Sequence, residues 1–438
     1  TRKESSAASD VYKRQILGGT MEEKSQKIKG KARYILGMQH VLAMFGATVL
    51  VPFLTGLNPS LALISAGVGT LIFHLCTKKI VPVFLGSSFA FIGALTLVLK
   101  EEGIGSIKGG VIAAGLIYVL MSYLVKVFGV KRVRSFFPPI VTGPIIMLIG
   151  LRMAPTALGM AGYANGKFDG KSLIVSVIVI LVMVFITMMK KSFLRLIPIL
   201  IAVVVGYIVA ASMGMVNFEL VEQAKWIGLS HEATKDLLTL PSMSLTGIIA
   251  IAPIALVVFI EHIGDITTNG AVVGKDFFKD PGIHRTLLGD GLATIAAGFI
   301  GGPANTTYGE NTGVLAVTKV YDPAILRIAA CYAIILGFIG KFGILLQTIP
   351  LPVMGGVSVI LFGMIASVGV RTVVDARLDF SNSRNLTIAS LIFVLGIAVD
   401  NIVIWKTVSV SGLALAALAG VVLNKVLPTD RELQLKID

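Results

Sequence analysis

The stretch PANTTYGENTG, residues 303–313, sets a carboxylate, amides, hydroxyls and two glycines between two long apolar runs. What such a segment does depends on the solvent around it, and composition settles that first. The chain of 438 residues is 55% hydrophobic and only 14% charged, with a mean hydropathy of +0.88, too little polar surface to wrap a soluble globule of this size. It reads as an all-α polytopic membrane protein. In that setting the polar groups of 303–313 line a cavity, and the glycines let backbone approach a ligand.

The formal charge of +14 does not point to nucleic acid, because the basic residues fall in short groups between apolar runs and form no continuous stripe. Cys76 and Cys331 both lie inside apolar segments and read as small buried packing residues, with no disulfide, metal or redox role. His74, His231 and His284 are scattered without metal-ligand spacing. No cofactor is expected. Residues 1–20 lack the apolar core and cleavage site of a secretory signal and precede a basic start at Met21, so they read as a non-native leader.

A crossing helix needs about 20 apolar residues. On that ruler fourteen segments emerge, at 34–54, 60–77, 87–99, 108–127, 137–151, 172–189, 194–213, 244–267, 286–300, 309–318, 323–345, 350–369, 386–399 and 408–425; the third and tenth are short and glycine-interrupted. Basic groups recur on alternate sides: Lys24, Lys27, Lys29, Lys31 and Arg33; Lys78 and Lys79; Lys126, Lys131, Arg132 and Arg134; Lys190, Lys191 and Arg195; Lys275, Lys279 and Arg285; Lys319; Arg371, Arg377 and Arg384; Arg431 and Lys436. Loops 55–60 and 301–307 carry none, although 214–243 and Lys406 add noise. This places both termini in the cytoplasm.

FPPIVTGPIIMLIG at 137–150 and PLPVMGGVSVILFG at 350–363 share a spacing, Pro139, Gly143 and Gly150 against Pro352, Gly356 and Gly363. The copies are seven spans apart, an odd number, so the second is inverted, as in many secondary transporters. The same offset pairs VPVFLGSSFAFIG at 81–93 with GGPANTTYGENTGV at 301–314. Each is expected to combine a short strand with a half-helix, Phe84–Ser88 pairing with Asn305–Tyr308 at mid-bilayer.

Two acidic clusters lie inside spans: Glu261, His262 and Asp265 in FIEHIGDITTNG, and Glu310 beside Asn311. A carboxylate at membrane depth is costly unless it faces a cavity or a partner. Glu261 and Asp265, four apart, share a helix face. Crowded together in a partly dry cavity, they favour uptake of a proton as coupling ion. His262 points away from Glu261 and reads as a packed histidine, and Gln39 with His40 reads as an interhelical hydrogen-bonding pair.

At these residues the chain resembles the nucleobase-ascorbate transporters. ENTGVLAVTK, Glu310 to Lys319, matches that family's motif of Gln, Glu or Pro followed by N-x-G-x-x-x-x-T-R/K/G, and the likeness extends to Gln39-His40, GSSFAFI in the third span, FIEHIGD in the eighth and KDPGIHR after it. The resemblance implies two inverted seven-span repeats forming a core (34–130 and 244–345) and a gate (135–213 and 346–427), commonly dimeric. Glu310 stands where xanthine and urate carriers have Gln and ascorbate carriers Pro, which implies uracil import by proton symport across the inner membrane. It further implies that Glu261 and Glu310 accept the two ring N–H groups of uracil, that backbone near Phe89 and Gly309 donates to its carbonyls, and that Ala47 is a small wall. Glu261 and Asp265 would handle the proton, with Gln39, His40, Ser88, Tyr308 and Asn311 in support. Asp265 stands where one well-known member of the family has His and many relatives have Asp, which leaves the proton path open.

A purine symporter of the same family is the nearest alternative. Anion transporters of the same fold do without the two carboxylates. A membrane protease would need a Gly-x-Gly-Asp pattern around Asp265 or Asp290, and the sequence lacks it.

Overall fold

The computed structural model describes residues 30–189, 193–399, 401–405 and 408–428. Residues 1–20, Lys24, Lys27, Lys29, Lys190, Lys191, Lys406, Arg431 and Lys436 lie outside the described residues. Long apolar runs become helices because only intrasegment hydrogen bonding satisfies a backbone removed from water. Fourteen helices of ten or more residues occur among the described residues: α1 (Ala32–Thr55), α2 (Pro59–Cys76), α3 (Ile92–Glu102), α4 (Ile104–Phe128), α5 (Pro139–Arg152), α6 (Gly170–Met188), α7 (Pro198–Ser212), α8 (Ala255–Val273), α9 (Ile283–Ile300), α10 (Gly309–Thr318), α11 (Pro323–Gly337), α12 (Leu351–Asp375), α13 (Ser383–Ala398) and α14 (Gly412–Val426). Among the described residues seven helical stretches are long and apolar enough to cross a membrane. The helix Leu245–Ile251 leads into α8 through a 3-10 turn at Ala252–Ile254, where Pro253 cannot donate to the ladder.

Three expectations are corrected. The segment 323–345 is not one helix: α11 and Gly340–Gln347 meet at 79°. The loop between α7 and α8 takes up the backbone groups freed by the break, Gly340 N–H donating to the Trp226 carbonyl and Gly228 N–H to that of Phe338. The last span starts at Gly412 rather than 408, since β5 (Asn401–Trp405) and β6 (Val408–Ser411) form a hairpin before it. Cys331 is exposed and Cys76 only half-buried, where both were expected to be buried, and both are free thiols. A second hairpin, β2 (Tyr163–Ala164) with β3 (Lys167–Phe168), turns at Asn165-Gly166, both with positive φ.

Packing is organised around two groups. In one, α9 packs on α2 and α4, and α11 on α1 and α2; in the other, α12 packs on α5, α6 and α7, and α13 on α5 and α14. α5 and α12 approach at glycine: a Cβ on Gly369 would lie 2.6 Å from the Gly143 carbonyl oxygen. Of the glycines in the shared spacing, Gly143 and Gly150 lie against α12, whereas Gly356 packs on Ser176 and Val179 of α6 and Gly363 meets nothing within 4 Å.

Candidate functional site

Between the packed helices two extended stretches meet. β1 (Leu85–Ser87) pairs antiparallel with β4 (Asn305–Thr307), Leu85 opposite Thr307, Gly86 opposite Thr306 and Ser87 opposite Asn305. Ser88 N–H donates to the Ala304 carbonyl at 2.9 Å and Tyr308 N–H to the Phe84 carbonyl at 3.0 Å, which extends the ladder at both ends. Residues 81–88 and 301–308 are all buried, so each strand supplies the partners the other's backbone requires. The chain then turns helical on both sides, through Phe89–Phe91 into α3 and at Gly309 into α10. The two helix N-termini therefore face one another across a three-residue ladder, with first-turn N–H groups and positive dipole ends directed at the same region.

Side chains fix the ladder to its surroundings. The Tyr308 ring lies over Gly86, where an added Cβ would be 2.3 Å from ring carbons. Its hydroxyl donates to the Ser87 carbonyl at 3.0 Å, and Ser87 Oγ donates to the Thr48 carbonyl of α1 at 3.1 Å. Asn305 Nδ2 donates to the Ser65 carbonyl of α2 at 3.1 Å, and Leu85 N–H to Thr70 Oγ1 at 2.9 Å.

α8 carries the acidic face. Asp265 Oδ2 accepts from Thr307 Oγ1 at 2.9 Å, linking α8 to β4. One turn on, Asn269 Nδ2 donates to Thr312 Oγ1 of α10 at 3.0 Å and to the Pro82 carbonyl at 3.1 Å. Glu261 is exposed although Phe259, His262 and Ile263 around it are buried, and it interacts electrostatically with Glu310 and Asp290. Asp265 feels the same carboxylates. Glu310, half-buried in the first turn of α10, folds its carboxylate back onto its own backbone N–H.

Two cavities flank this centre. One of about 70 Å³ is bounded by Glu310, Leu42 and Ala43 of α1, Ile199 of α7, and Leu361 and Met364 of α12. The other, about 350 Å³, is bounded by Phe89, Gly93 and Lys100 on one wall and Ile149, Arg152 and Leu413 on the other. Glu310 borders the smaller cavity and Phe89 the larger.

The family comparison agrees with this geometry. A family model described as a permease family matches residues 31–403. The uracil permease of Bacillus subtilis (strain 168) is 43% identical over 403 residues, covering 91% of this chain and 93% of the relative. That of Escherichia coli (strain K12) is 40% identical over 392 residues, covering 89% and 90%. The chain belongs to the nucleobase-ascorbate transporter family. Among solved structures, the inward-facing murine solute carrier 26 member A9 anion transporter aligns with a TM-score of 0.66 over 94% of this chain and 70% of that one. At 12% identity this is a likeness of fold alone. The chain is a multi-pass membrane transporter.

Within this transporter, the residues singled out from sequence separate into two sets. Glu261, Asp265, Glu310, Gly309 and Phe89 surround the ladder. His40 is buried and receives Asn311 Nδ2 at its carbonyl at 3.0 Å, with Nδ1 at 3.1 Å, an interhelical link between α1 and α10; Gln39 beside it is half-buried. Ala47 is 0% exposed, packed with Phe84 and Tyr308, and presents no surface to either cavity. Ser88 is also fully buried.

Sequence reasoning missed Thr307, Thr48 and, as the partner of His262, Asp290. Thr307 gave no signal because a threonine beside apolar runs looks like any other. Thr48, whose hydroxyl reaches Tyr308 Oη at 3.3 Å, sat unnoticed inside an apolar helix. His262, read as a packed histidine, is wholly buried with its Nδ1 2.7 Å from Asp290 Oδ2 and its Nε2 2.8 Å from Thr286 Oγ1, a pair that no local spacing announces because the partners sit on different helices. Thr307→Val keeps the shape and removes the donor to Asp265. Since a hydrogen bond to a carboxylate contributes roughly 1.5–3 kcal/mol, transport should fall about tenfold or more, with Thr307→Ser restoring it. Uptake by purified variants in proteoliposomes checks this; wild-type rates in Thr307→Val would exclude the contact from function.

Proposed function

We propose that the chain imports uracil across the cytoplasmic membrane by proton symport. The observation that carries this reading is the convergence of Glu261 and Glu310 with two helix N-termini at one buried ladder. Uracil has two ring N–H donors and two carbonyl acceptors. Carboxylates match the former, and first-turn backbone N–H groups at Phe89 and Gly309 match the latter. Ionised Asp265, Glu261 and Glu310 repel one another at this spacing, and one bound proton relieves that repulsion.

The reading includes fourteen spans in two inverted seven-span repeats, both termini cytoplasmic. Helix pairing supports it: adding seven to α2 and α4 gives α9 and α11, so the α4–α9 contact has its counterpart in α11–α2, and α6–α12 in α13–α5. Contacts also concentrate within 34–130 with 244–345 and within 135–213 with 346–427, in keeping with a core moving against a gate, and the two cavities lie between them. A homodimer in the lipid bilayer completes the proposal.

Radiolabelled uptake into proteoliposomes with uracil, xanthine and urate as competitors tests the substrate, and stronger competition by xanthine would overturn it. Glu310→Gln is expected to bind uracil about tenfold to hundredfold more weakly without loss of folding. The near-isosteric amide no longer offers a charged acceptor. Calorimetry on monodisperse protein measures the change; wild-type affinity would remove Glu310 from the site.

A further inference from the structure

α1 and α11 begin beside each other, and their first turns gather an unbalanced set of charges. Asp322 caps α11, accepting from Ala324 N–H at 2.9 Å, and pairs with Arg33 of α1. Arg327, one turn further along α11, interacts electrostatically with Asp322 and with His74 of α2. Two guanidinium groups thus lie near one carboxylate, and only Arg33 pairs with it. Among the described residues, Arg33 Nε and Arg327 Nη1 are buried N–H donors with no acceptor. His74 is fully buried, its Nε2 engaged by the Val83 carbonyl at 3.0 Å and its Nδ1 unpartnered. A guanidinium stays charged under all relevant conditions, so two of them beside one carboxylate leave a net positive charge and free N–H donors that an anionic acceptor matches.

The surroundings indicate what kind. Tyr34 is 58% exposed, Ile35 70% and Met38 40%, an apolar surface on α1 immediately after Arg33. α1 is itself a membrane-crossing helix and α11 half of a bent one, so the charges sit where a headgroup meets acyl chains. We propose that Arg33 and Arg327 bind a phosphate group, presented by an anionic lipid whose acyl chain lies along Tyr34 and Ile35. This assignment is independent of the substrate reading, since neither arginine belongs to the ladder or its cavities.

The test is thermal unfolding of the purified full chain in nonionic detergent, titrated at fixed ionic strength with phosphatidylglycerol, phosphatidylcholine or inorganic phosphate. Phosphatidylglycerol is expected to raise Tm more than phosphatidylcholine, with inorganic phosphate inert. Arg327→Gln should weaken the apparent lipid affinity by about tenfold or more. Arg33→Gln, whose side chain is 36% exposed in the wild type, should do the same and keeps the test available if Arg327→Gln fails to fold. Equal stabilisation by inorganic phosphate would establish the phosphate site while assigning it to a free ion. No stabilisation by any phosphate compound, or the same rise in Arg33→Gln as in wild type, would overturn the proposal and leave ordered water as the acceptor.

Discussion

Glu261→Gln is expected to abolish accumulation of uracil driven by an inward pH gradient. The amide fills the same volume but does not titrate, so the carrier can no longer take up a proton and release it together with its substrate. Binding should weaken at least as much as in Glu310→Gln, about tenfold to hundredfold, because a charged acceptor for a ring N–H is lost. The two effects separate experimentally: affinity is read by calorimetry, coupling by accumulation in proteoliposomes with and without the gradient, sodium absent. Accumulation in the variant that still follows the pH gradient would move the proton to Asp265 or Glu310. Dependence of the wild type on sodium, with indifference to pH, would reject proton symport altogether.

Gly86→Ala should be nearly as damaging, although it adds a single methyl group. That carbon would sit 2.3 Å from the Tyr308 ring, well inside contact distance, and the ring is held by its hydroxyl on the Ser87 carbonyl. Overpacking of this kind costs about 1–3 kcal/mol, and the strain falls on the residue immediately before α10, displacing Gly309 and Glu310. We expect substrate affinity to drop sharply in Gly86→Ala. Tyr308→Ala vacates the ring's volume, so adding Gly86→Ala to it should cost little, a double-mutant cycle with large coupling. Independent, additive effects would show that the ring does not transmit the clash.

How much of this was legible beforehand follows from where the determining partner lies. α10 occupies 309–318 in sequence and structure alike because Gly309 follows an extended tyrosine and Lys319 ends the helix in a left-handed conformation. α3 starts at Ile92, not at 87, because strand geometry persists through Ser87 and a 3-10 turn follows. The bend after Gly337 depends on contacts with Trp226 and Gly228, more than a hundred residues earlier, and has no local signature. The Asn165-Gly166 turn was readable from its dipeptide alone and was passed over amid apolar runs. For the site, lone carboxylates in apolar helices stand out by their cost, whereas Thr307, Thr48 and Asp290 acquire meaning only through partners on other helices.

The ladder also has a consequence for how the molecule is made. Tyr308 and the Ser87 carbonyl it holds are 221 residues apart in the chain. At a synthesis rate of about 5–20 residues per second, β1 emerges on the order of 10 to 40 s before its partner. Through that interval its backbone donors and acceptors form an open edge in a segment destined for the interior, the kind of surface that invites pairing with a foreign strand. The ladder therefore closes only after residue 307 has been made, and a nascent chain halted before residue 303 carries an adhesive seam in its place.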